Sequence, residues 1–138
     1  MDEHSQDEMV AHALAVARVR ALRFSLLALH KTLIDAERRR YERANGRVES
    51  PHAALRLLLD HPSFQWLHPI AELIVQMDEH LAEDGVIDVA RAEAFRDRVR
   101  GLLYDDGGHD GFRTEYRRVL QEAPEAVIAH AEVTKQIG

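Results

Sequence analysis

"QDEMVAHALAVARVRALRFSLLALHKTLIDAERRRYERA", residues 6–44, contains neither glycine nor proline. It is rich in Ala, Leu, Arg and Glu, the residues that lose least on entering a helix. Val19, Leu22, Leu26, Leu29, Leu33 and Ala36 recur at spacings of three and four and define one apolar stripe. The stretch therefore predicts a long first helix, and Asn45-Gly46 supplies a left-handed stop. Its length raises a question. At 1.5 Å per residue it would run about 58 Å, whereas a compact chain of this size has a diameter of roughly 37 Å.

Either the helix breaks near residue 20 and folds back, or its first part projects. In that first part Val10, Leu14, Val16 and Val19 spread around the helix instead of lining one side. Burial on more than one face is implied, and a second copy of the chain would provide it. We therefore expect a homodimer built through the first helix, residues 6–22.

Working outward, the helical period continues to the end of the chain. Ser50-Pro51 reads as an N-cap followed by proline in the first turn, opening a short helix with Ala54, Leu55, Leu58 and Leu59. Leu67, Ile70, Ile74, Met77 and Leu81 form the cleanest stripe, stopped by Glu83-Asp84-Gly85. Asp88 can cap the next helix, with core face Ala92, Phe95, Val99 and Leu102. After the polar loop "DDGGHDG" (105–111), a helix carries Phe112, Tyr116, Val119 and Leu120. Pro124 opens the last, with Val127, Ile128, Ala131 and Ile137 available for packing. Val and Ile never alternate over four or more residues, so no strand is expected. No repeat and no linker interrupts the chain. The expectation is an all-α fold, a single-domain helical bundle of about five or six helices spanning residues 1–138, with residues 1–5 a disordered tail.

The composition bounds the function. The chain has 138 residues, 46% apolar and 30% charged, enough for a proper core. No apolar run approaches the ~20 residues that span a bilayer, and "MDEHSQDE" lacks the features of a secretory signal. No membrane association is expected. The absence of cysteine removes disulfides, thiol nucleophiles and thiolate metal sites, and agrees with a cytoplasmic home.

A net charge of −6 lacks the field that draws a protein to nucleic acid. The basic run "ERRRYER" (37–43) has Asp35 and Glu42 at ion-pair spacing and reads as a solvated helix face. Nine histidines would carry the charge from −6 to +3 if all were protonated, so association should respond to mild acid.

Two His-Pro pairs, His61-Pro62 and His68-Pro69, flank the one tryptophan, Trp66. They read as helix punctuation: each proline opens or kinks a helix, and each preceding histidine is pushed toward extended backbone. The indole N–H of Trp66 will want one partner. His68 and Glu72, at i and i+4, have metal-ligand spacing but fall opposite the apolar stripe and should face water.

Four polar residues fall inward on their wheels. His30 and Glu37 lie within about 40° of Leu26 at ~100° per residue, Asp78 at a similar angle from Ile74, and His130 beside Val127 and Ile137. Facing carboxylates and histidines build metal sites in bundles. His30, Glu37, Asp78 and His130 are thus the candidate ligands, although none of the four belongs to a Glu-x-x-His motif. The alternative is a set of buried hydrogen bonds that fix helix register. The loop at 105–111 lacks the spacing and distal Glu of a calcium loop and reads as a turn. No nucleophile elbow, phosphate loop or dinucleotide fingerprint occurs, so no catalytic residue and no cofactor is expected.

"LHKTLIDAERRRYERANGRV" (29–48), "FQWLHPIAELIVQMDEHL" (64–81) and "PEAVIAHAEV" (124–133) together resemble short uncharacterised bacterial helical proteins. The resemblance covers most of the chain and implies a bacterial, cytoplasmic protein. It brings no activity and no functional residue. The functional expectation is a non-enzymatic protein acting through protein–protein contact, self-association included. A bundle holding a metal or small ligand is the alternative.

Overall fold

The computed structural model describes residues 3–83, 86–105 and 111–138. Helix α1 runs unbroken from Glu3 to Asn45, about 64 Å at 1.5 Å per residue, so it does not fold back near residue 20. It takes in Glu3–Ser5, where a tail was expected. Its buried stripe is Ala15, Val19, Leu22, Leu26, Leu29 and Leu33, ending in Glu37. Among the described residues, nothing before Ala15 is buried. The helix stops where Gly46 takes φ +88° and its N–H closes on the Glu42 carbonyl at 2.9 Å.

Helices α2 (Pro51–Asp60), α3 (His68–Ala82), α4 (Val89–Tyr104), α5 (Phe112–Glu122) and α6 (Pro124–Ile137) follow, with a 3₁₀ turn at Pro62–Leu67. No strand occurs among the described residues. The caps are those the sequence encodes: Ser50 Oγ accepts from the Ala53 N–H at 3.1 Å, and Asp88 Oδ1 from the Arg91 N–H at 2.8 Å. α1 is the hub, packed against α3, α4, α5, α6 and the 3₁₀ turn, and the buried apolar side chains form one cluster around it. The described residues form an all-α bundle of six helices with a long first helix.

The structure corrects three further readings. In α2, Ala54 and Leu58 are half-buried as expected, together with Ala53 and Leu57, while Leu55 and Leu59 are exposed. In α6 the buried residues are Ala126, Val133 and Ile137, and Val127 and Ile128 point outward, Ile128 67% exposed. α6 makes its most extensive packing with α1.

The His-Pro pairs also differ from each other. His61 is extended (φ −78°, ψ 133°), and its Nδ1 caps the 3₁₀ turn by accepting from the Ser63 N–H at 3.1 Å. His68 is helical (φ −57°, ψ −38°), so the 3₁₀ turn runs straight into α3 with Pro69 in its first turn, where a missing N–H costs nothing. Asp84-Gly85 and most of the 105–111 loop lie outside the described residues.

Candidate functional site

Of the four inward candidates, Glu37 is the one the fold encloses, at 2% exposure. A lone carboxylate cannot be buried unpaired, and Glu37 Oε1 accepts from the Trp66 indole N–H and from Arg118 Nη2, both at 2.8 Å. Arg40 Nη1 stands 3.9 Å from Oε2. Arg118 also donates to Glu115 Oε2 and, at 3.2 Å, to Glu122. Burial alone would lower the Arg118 pKa; the Glu115 hydrogen bond and the charges of Glu37, Glu115 and Glu122 outweigh it and raise it. α1, the 3₁₀ turn and α5 are thus locked by one ionic knot. The indole partner foreseen for Trp66 is Glu37.

The other three end elsewhere. Asp78 is exposed and accepts from Arg23 Nε of α1 at 2.5 Å, which corrects its inward placement. His130 is half-buried, with Tyr116 Oη 2.5 Å from Nδ1 and Tyr104 Oη 3.3 Å from Nε2. Burial lowers its pKa, and burial together with Tyr104 raises that of Tyr116. A phenol kept protonated donates to Nδ1, leaving the Nε2 hydrogen toward Tyr104. His30 has a buried Nε2 with no hydrogen-bond partner, and its pKa is lowered first by burial and then by His68.

His68 was placed in water by its wheel angle. It is half-buried instead, its Nε2 3.4 Å from the Leu58 carbonyl oxygen, while Glu72 is exposed. Among the described residues, no group of three or more His, Cys, Asp or Glu is placed to hold a metal ion. Glu37, Asp78 and His130 each make side-chain hydrogen bonds that join different helices, as the register-fixing alternative requires, and His30 Nε2 makes none.

Two solvent-open clefts meet at Tyr41, Asn45 and Pro62. One, of about 570 Å³, lies between the end of α1 and α2, with Arg47, Arg56, Glu49 and Asp60 on its walls. The other, of about 430 Å³, reaches from Asn45 to Glu37, Trp66 and Glu115. Their mixed charges select no ligand class.

α1 also presents apolar side chains to solvent. Met9, Val10 and Leu14 are each 58–59% exposed on the segment that precedes the core, and Phe24 and Leu27 are exposed further along. Sequence reading pointed to residues 6–22 and missed Phe24 and Leu27; their angles of about 160° and 100° from Leu26 were the available signal. No helix among the described residues is long and apolar enough to cross a membrane. No family model, no curated protein and no solved structure matches the chain.

Proposed function

We propose that this chain is a bacterial, cytoplasmic, non-catalytic protein that works through protein–protein contact, self-association included, with α1 as its contact arm. The observation that carries the reading is the twelve-residue start of α1, residues 3–14, which has no buried residue and presents Met9, Val10 and Leu14 to solvent. Solvent-facing apolar residues grouped on one element mark an interaction surface. Charged and polar residues would serve an isolated projecting helix better.

Sedimentation equilibrium of the full chain over a wide concentration range tests the proposal. We expect a reversible species heavier than the 15.7 kDa monomer, weakened when Met9, Val10 and Leu14 are all changed to Gln, a good helix former. A monomer at every concentration would refute self-association.

A further inference from the structure

Viewed down its axis, α1 carries a second stripe opposite the buried one. Val10, Ala13, Ala17, Arg20, Phe24, Leu27 and Lys31 follow one another at alternating spacings of three and four, and all seven are exposed, Phe24 by 74%. Sustained three-four spacing is the seam of a coiled coil. The buried stripe of the same helix is centred on Leu22, Leu26 and Leu33, about 180° away at ~100° per residue. The bundle therefore lies wholly on one side of α1 and leaves this seam open.

We propose, resting on the self-association reading above, that the occupant of this seam is the same seam of a second copy, running antiparallel. Three features choose that partner and direction. Reversal sets Phe24 across from Ala13 and Leu27 across from Val10, large against small, which is how facing helix layers interdigitate. It also sets Arg20 across from Ala17, whereas a parallel, in-register pair would stack Arg20 on Arg20 and Lys31 on Lys31, a like-charge conflict. At the ends, reversal brings Lys31 beside the acidic first turns of the other copy, Glu3 and Asp7. The overlap, residues 6–31, is about 39 Å long. In this arrangement the buried stripe of each α1, and so its own bundle, faces away from the partner helix.

The chain contains no cysteine, so introduced thiols report the geometry without background. Full-length V10C and L27C proteins are mixed, exchanged and oxidised, and the cross-links are read by mass spectrometry. A predominant 10–27 disulfide is expected. Predominant 10–10 and 27–27 links would overturn the antiparallel arrangement while leaving self-association standing. Phe24→Asp, at an exposed position, should leave the helical circular dichroism unchanged and raise the dimer dissociation constant by at least about 100-fold; an unaffected dimer would overturn the seam. A protein monomeric at all concentrations would overturn both this inference and the reading beneath it.

Discussion

Replacing Arg118 with methionine is the sharpest test of what holds the polar end of the bundle together. The substitution keeps most of the aliphatic stem and removes the guanidinium. Glu37, 2% exposed, would then retain the Trp66 N–H at 2.8 Å as its one close donor, with Arg40 at 3.9 Å. Stranding one charge of a buried pair costs about 3–5 kcal/mol. Because the Arg118 side chain is 21% exposed and Arg40 compensates in part, the lower end applies, about 3 kcal/mol, or roughly 10 °C in midpoint for a chain of this size.

Removing the carboxylate instead is milder. In Glu37→Leu, Arg118 keeps Glu115 and Glu122, and only the indole N–H loses its acceptor, for about 1–2 kcal/mol. The double variant should recover much of the Arg118→Met loss, since no charge is then left unpaired. Urea unfolding followed by Trp66 fluorescence and circular dichroism, at fixed protein concentration because association also stabilises, measures all three. If Glu37→Leu costs more than Arg118→Met, or if the two effects simply add, the argument from a stranded charge is wrong.

Stability should also follow pH through the histidines. The folded-state pKa values of His30 and His130 lie below 6.5, by burial in both cases and by the His68 charge for His30. The unfolded chain then takes up protons more readily, so stability is full above pH about 6.5 and falls as the pH drops through the lower folded-state values. Urea midpoints at pH 7.5 and 5.5 check this, with His30→Leu expected to shrink the difference; identical midpoints would rule it out. Gly46→Ala, at φ +88° with nothing within 4 Å of the added methyl group, should cost about 1 kcal/mol from backbone strain alone, read as a lower thermal midpoint with an unchanged spectrum. Met77→Ala, at a fully buried site, should cost about 2–5 kcal/mol in the same urea titration.

The helices were legible because their signals are local. A stretch without glycine or proline, a three-four apolar period and the caps at Ser50 and Asp88 need no knowledge of the rest of the chain. The interior polar network was not, because Glu37 meets Trp66 and Arg118 from elements 29 and 81 residues away, and a wheel says which way a side chain leaves its helix without saying what it will meet.

Asp78 shows how a wheel misleads. Centring the α3 stripe on Ile74 places Asp78 40° inside, but Leu73 is buried as well. That moves the centre by roughly 50° at ~100° per residue and leaves Asp78 on the rim, where Arg23 collects it. In α6 the bulk of Val127 and Ile128 was the wrong guide, since the buried face carries the small Ala126 with Val133 and Ile137. Continuity of α1 was undecided in the sequence for a different reason: nothing within residues 6–44 breaks the helix, and only compactness argued that it should.

The dependence of the core on α1 has a consequence for how the chain is born. The stripe from Ala15 to Leu33 is synthesised early, and its most extensive partner, α6, ends at Ile137. At ~5–20 residues per second, the ribosome needs about 5–20 s to pass from Asn45 to Ile137. Through that interval a formed or half-formed α1 shows apolar surface on both sides: the inner stripe awaiting its own bundle, and the outer seam facing other nascent chains. On a polysome those chains lie nearby and carry the same seam. Under the proposed self-association, the order of synthesis lets the outer face meet another copy before the inner face is covered.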